Sequence, residues 1–161
     1  MSPAIDIVAE APGWDALGDA EEIARRSVGA ALSQIARPYN PDAELSVILA
    51  DDARVRELNR EWRGKDSATN VLSFPAAEDD EIETSPLLGD IILAFETVAG
   101  EAERDGKTLA DHFAHLVVHG TLHLFGMDHL TEAEAEEMEN AERAALAQIG
   151  IDDPYKESDP V

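Results

Sequence analysis

The sequence predicts an α+β fold: one domain over residues 1–161, with a small mixed sheet of about four strands, a buried histidine-bearing helix and a flexible tail after about residue 152. Three observations lead there. A chain of 161 residues, 44% apolar and 29% charged, has the size and composition of a single globular domain with its own core. Four short apolar runs of strand length are interleaved with stretches of helical periodicity, with no internal repeat and no shift of composition to mark a boundary. The stretch from Thr108 to Phe125 is apolar on nearly every side, which suits a helix only in the interior.

Ile5, Ile7 and Val8 make Ala4 to Ala9 the first strand, and the turn signal Pro12-Gly13 ends it. Leu17, Ile23, Val28, Leu32 and Ile35 recur at helical spacing, predicting a helix from about Asp19 to Ala36 that Pro38 stops. Glu44 to Ala50 is the second strand, after which Asp51 or Asp52 caps a helix that runs through Arg63 and closes at Gly64. Asn70 to Phe74 is the third strand. The five acids between Glu78 and Glu83 read as a solvated loop, and Leu88 to Phe95 forms the fourth strand. Glu96 to Arg104 is helical. Thr108 caps the buried helix, with Asp111 in the place where a capping box prefers Glu. Thr131 and Glu134 make a full capping box for a last helix to about Ile149, and the chain after Gly150 reads as loosely held.

Twelve basic against 35 acidic side chains leave a net charge of −23, a field that opposes broad, nonspecific coating of nucleic acid. The chain has no cysteine, so disulfides, iron–sulfur clusters and thiolate-bound zinc are excluded and a transition-metal site must be built from histidine and carboxylate. The N-terminus lacks the basic and apolar regions of a leader, and no run approaches the ~18 apolar residues of a membrane span. The expectation is a soluble, cytoplasmic chain without membrane partners.

All five histidines fall between His112 and His129. At ~3.6 residues per turn, His119 and His123 lie one turn apart on one helix face, where both imidazoles can reach one ion. On a straight helix His129 would sit ~15 Å from His119, far beyond a metal–nitrogen bond of ~2.0–2.1 Å. The chain must therefore turn back. Gly126, three residues after His123, supplies a residue able to end the helix in the left-handed conformation and bring His129 to the other two. Three neutral imidazoles with an open fourth position describe a catalytic rather than a closed structural site, with zinc the default ion and other divalent metals open. His115, one turn before His119, and His112, one turn further back, can hold the ligands from behind. The spacing H-x3-H-x2-G-x2-H coincides with that of a zinc-peptidase pattern, but Gly120 stands where that pattern carries its general-base Glu.

Arg54, Arg56, Arg60, Arg63 and Lys65 concentrate five of the twelve basic side chains in twelve positions. They read either as balance for neighbouring acids on an exposed helix or as a local phosphate-binding surface, since guanidinium groups grip phosphate through two parallel hydrogen bonds. Arg60 and Lys65 are candidate substrate contacts. Arg63, at the end of its helix, is placed to reach a cleft beside the strand that follows.

Three separated stretches, LNREWRGKDSATNVLSFP from Leu58, LGDIILAF from Leu88 and HLVVHGTLHLFGMDH from His115, resemble the YbeY-type bacterial endoribonucleases, also called rRNA maturation factors. The resemblance implies a zincin-like fold and cleavage of single-stranded RNA in ribosomal RNA maturation and ribosome quality control. It implies that His119, His123 and His129 hold the metal and that Arg63 is the functional arginine, steadying charge in the transition state. Ribosomal RNA, the ribosome and ribosomal proteins are the implied partners. One departure is Asn70, where the family often has Asp. Two rival readings stay open at this level: a zinc metallopeptidase without its usual Glu base, and a non-enzymatic ribosome-assembly factor whose metal only staples the fold.

Overall fold

The two most continuously apolar runs take the centre of the sheet. The computed structural model describes residues 3–155, of Asp79 the backbone alone. Its strands are β1 (Ala4–Ala9), β2 (Glu44–Ala50), β3 (Val71–Pro75) and β4 (Leu87–Ala94). They lie in the order β1-β2-β4-β3, with β1, β2 and β4 parallel and β3 antiparallel to β4. Apolar side chains on both faces suit β2 and β4 to the interior of the sheet. β3 ends in Pro75, which has no N–H for a further neighbour and belongs at an edge. Gly89 carries the register irregularity between β2 and β4 at φ 140°, a conformation that glycine alone adopts readily.

Five α-helices cover the sheet: α1 (Ala20–Leu32), α2 (Asp52–Arg63), α3 (Phe95–Arg104), α4 (Leu109–Leu124) and α5 (Glu132–Gln148). The main core joins α1, α4 and α5 to one face through Val28, Val47, Leu49, Ile91, Leu93, Phe113, Val117, Met138 and Leu146. Each such side chain contributes ~1.5–3 kcal/mol on full burial. α2 covers the other face, its Val55 resting on Ala50, Leu72, Ile92 and Ala94. The α+β class, the four-stranded mixed sheet and the buried histidine helix are thus present as expected. The caps are too, since Asp51, Thr108 and Thr131 accept the backbone N–H of Arg54, Asp111 and Glu134.

Four details depart from the sequence reading. α1 stops at Leu32 rather than Ala36, because Ser33 Oγ donates to the Ala30 carbonyl at 2.6 Å and the next residues turn. Ile35 still packs on the core, from outside the helix. The Pro12-Gly13 turn opens a 3-10 segment, Pro12–Leu17, whose Trp14 is buried and donates from Nε1 to the Ala50 carbonyl at 2.8 Å. The acidic loop is not wholly solvated, for Ile82 is 2% exposed within the main core. Beyond Gly150, Ile151 packs on the core and Lys107 Nζ donates to the Pro154 carbonyl, so the chain is tied down as far as Tyr155. The rest of the expected flexible tail, 156–161, lies outside the described residues.

Candidate active site

α4 brings His119 and His123 to a cleft beside the edge strand β3, and its C-terminal cap decides where His129 goes. Gly126, at φ 88°, donates to the His123 carbonyl, and Met127 donates to that of Leu122. This pair of bonds is the glycine-closed helix end that reverses the chain. Asp128 Oδ1 then accepts the His129 N–H at 2.8 Å, and Thr131 starts α5 at once. His129 is thereby carried back over the last turn of α4. One nitrogen from each of His119, His123 and His129 lies within 4.8 Å of the others, and the Nε2 atoms of His119 and His123 are 3.0 Å apart.

Behind the triad stands Glu142 of α5, 1% exposed. Its Oε1 lies 2.9 Å from His119 Nδ1 and 2.8 Å from His115 Nε2, and its Oε2 accepts the Tyr155 hydroxyl at 2.7 Å. Burial alone would raise this carboxyl, but the hydrogen bonds from His115 and His119, with their charges, outweigh it and bring it to about 2. An ionised carboxylate only accepts, so the His119 N–H faces Glu142 and its Nε2 lone pair faces the cluster. Burial, and next the neighbouring His119, pushes His123 down to about 4, which keeps that imidazole neutral as a ligand must be. The Tyr155 phenol is shifted up by burial and by the Glu142 charge and hydrogen bond, so it stays a donor.

These residues fit a divalent metal. Two nitrogens bound to one ion at ~2.1 Å are at most ~4.2 Å apart, so a spread of 4.8 Å closes with shifts well under about 1 Å. The lone pair that Glu142 frees on His119 is the donor such an ion needs.

The triad opens on a cleft of about 700 Å³ that Arg63, Lys65, Asn70 and Ser73 also line. Arg63 leaves the end of α2, which Gly64 closes at φ 69°. Its Nη2 reaches 3.5 Å from the Ser73 carbonyl, with the guanidinium 5.9 Å from the centre of the Phe74 ring. The 65–70 loop is pinned by buried Asn59, which donates to the Ser67 carbonyl at 2.9 Å. Of the basic island, Arg63 and Lys65 line this cleft. Arg60 lies with Ala53, Arg56 and Glu57 on another part of the α2 surface. Arg56 is paired with Asp66 at 2.7 Å, and Arg54 with Glu57 at 3.5 Å. Gly120 faces the sheet, where a Cβ would come 2.8 Å from Ile91 Cγ2 and 3.1 Å from Ser73 Oγ. A side chain there would have to push the Ile91 and Ser73 side chains aside.

Residues 16–150 match the family model described as Endoribonuclease YbeY. The chain is 58% identical over 151 residues to Endoribonuclease YbeY of Azorhizobium caulinodans, covering 94% of this chain and 95% of that one. It is 52% identical over 164 residues to that of Paramagnetospirillum magneticum, covering 98% and 99%. The chain belongs to the YbeY endoribonuclease family. Its fold is similar to the solution structure of TM1509 from Thermotoga maritima, with a TM-score of 0.55 at 27% identity and 97% of each chain covered.

In this YbeY-family cleft the histidine triad is the group of side chains placed to hold a metal ion. His115 sits directly behind it on Glu142, while His112 instead meets Glu101 at 2.9 Å. Glu142, Tyr155 and Asp128 are the members of the site that sequence reasoning missed. Asp128 is the single carboxylate lining the cleft among the described residues. No helix among the described residues is long and apolar enough to cross a membrane.

Proposed function

We propose that this chain is a metal-dependent endoribonuclease that cleaves single-stranded RNA in the maturation and quality control of ribosomal RNA. The observation that carries the reading is a converged imidazole triad and an exposed guanidinium, Arg63, lining one cleft. His119, His123 and His129 hold the ion, zinc by the character of three nitrogen donors. Bound there, it supplies Lewis acidity toward a phosphate oxygen or toward water.

Arg63 takes two oxygens of the scissile phosphate with its planar fork and balances the charge that builds on them. Lys65, just past the Gly64 turn, holds an adjoining phosphate as a point charge. Arg60, away from the cleft, is left to a phosphate further along the strand. Asp128 is the carboxylate at hand to accept a proton from the attacking hydroxyl. A folded duplex is wide and stiff, whereas a single strand can bend its backbone into a cleft of this size. The crowding at Gly120 speaks against a peptidase, which would need its base there.

The test presents metal-replete protein with single-stranded RNA, duplex RNA and an unfolded protein. Cleavage of the single strand alone is expected. Peptide hydrolysis without RNA cleavage overturns the reading, and association with ribosomal particles without either activity leaves only an assembly role.

A further inference from the structure

A buried acid on α5 and a phenol from the C-terminal segment are joined to the histidine triad by a chain of short hydrogen bonds. Glu142 is 1% exposed, and an ionised carboxylate is costly to bury unless its oxygens are satisfied. Here one oxygen takes His119 Nδ1–H and His115 Nε2–H, and the other takes Tyr155 O–H. All three donors converge on a group that offers nothing but acceptors.

The segment that brings Tyr155 is itself built for the purpose. Gly150 turns the chain at φ 77°, and Ile151 anchors it in the core. Asp153 binds Arg143 Nε at 3.0 Å and accepts the Tyr155 N–H at 2.8 Å. Arg143 also stands 5.3 Å over the Tyr155 ring, and that ring meets His115 edge-on with centroids 5.4 Å apart. None of these residues lines the cleft.

We infer that Glu142 and Tyr155 form a positioning relay for His119, so that the C-terminal segment, without touching the cleft, sets how tightly the histidine triad holds its metal. Glu142 is a positioning residue: by taking Nδ1–H it fixes the tautomer and ring plane in which Nε2 faces His123 and His129. Tyr155 holds the second oxygen, which stops the carboxylate from rotating away. Glutamine keeps one acceptor oxygen but loses the charge, and its amide nitrogen must either face the imidazole N–H groups or turn the phenol from donor to acceptor, so it holds His119 less firmly.

The inference rests on the reading of the triad as a metal site, and the experiment separates the two. Zn2+ is titrated into metal-free full-length chain against a chromophoric chelator, for wild type, Glu142→Gln and Tyr155→Phe. The imidazole nitrogens of the metal-free proteins are assigned by long-range 1H–15N NMR. Affinity should fall ~10–100-fold in Glu142→Gln and by a smaller but measurable factor in Tyr155→Phe, whose metal-free melting should stay near wild type. His119 should be the Nδ1–H tautomer in wild type and show a weaker preference for it in Glu142→Gln. If Glu142→Gln fails to fold, Tyr155→Phe and the wild-type tautomer decide alone. Wild-type affinity in both variants, or His119 protonated at Nε2 in the wild type, overturns the relay while leaving the metal site standing. Absence of Zn2+ binding by the wild type removes both.

Discussion

Arg63 and Asn70 face each other's neighbourhood in the cleft, and each makes a claim that one substitution can examine. Arg63 is exposed and its hydrogen bond to the Ser73 carbonyl is long at 3.5 Å, so the fold gains little from it. Lysine in its place keeps the charge and loses the fork. Arg63→Lys should therefore lower RNA turnover by about tenfold or more while its melting temperature barely moves; equal rates for Arg63→Lys, Arg63→Ala and wild type would remove Arg63 from the mechanism.

Asn70 donates from Nδ2 to Glu101 at 3.0 Å, and Glu101 in turn holds His112. That explains why this chain can carry an amide where the resemblance leads one to expect Asp. Asn70→Asp would set two carboxylates against each other, a cost of ~1–2 kcal/mol at neutral pH that disappears once one is protonated. Melting curves at pH 7 and near pH 4 check it, with a loss at the higher pH only. The convergence of the three histidines was legible because histidine is scarce in this chain and their spacing follows the helix turn and the glycine after it, and the place of Arg63 at the cleft was legible from its position at the end of α2. Glu142 was not. It is one acid among many in TEAEAEEMENAERAAL, and its burial is decided by how α5 packs on α4.

At the level of elements, the site depends on the abrupt end of α4. Gly126 at φ 88° is a position where a side chain costs ~1–2 kcal/mol. Gly126→Ala should lose about that much stability, and in relaxing it should move His129 away from the pair on the helix. Metal content per chain measured by elemental analysis should then fall by far more than the fraction unfolded. An unchanged content would show that the cap does not position His129. Periodicity and capping residues located all four strands and all five helices, because caps and apolar spacing are local. The burial of Trp14 and the insertion of Ile82 were hidden, since each is settled by residues distant in sequence, and the end of α1 was hidden because the Ser33 hydroxyl bond to Ala30 leaves no mark on the apolar periodicity. Arg60 illustrates the same limit. It and Arg63 are one turn apart, yet only the side chain at the helix end reaches the cleft.

For the whole molecule, charge and protonation set the working conditions. A net charge of −23 repels RNA at a distance, so attraction must come from the few cations at the cleft. His123 titrates at about 4 when folded against 6.5 otherwise. The unfolded chain therefore binds more protons between those values, and the stability due to the neutral imidazole is complete above pH 6.5 and lost as pH falls toward 4. Glu142, at about 2 against 4.5, contributes stability that is complete above pH 4.5 and lost toward pH 2. Metal-free protein should thus weaken in denaturant titrations from pH 7 down to pH 4, and further below it; constant stability from pH 7 to 4 would contradict the buried, neutral His123. In the proposed function the histidine triad cleaves RNA through a bound metal. What decides it is the rate of cleavage of single-stranded RNA by chain stripped with a chelator, before and after one equivalent of Zn2+ or another divalent ion is returned. Cleavage should be lost on stripping and restored on return in the wild type, and not restored in His123→Ala. Undiminished cleavage by protein shown to be free of metal would contradict it.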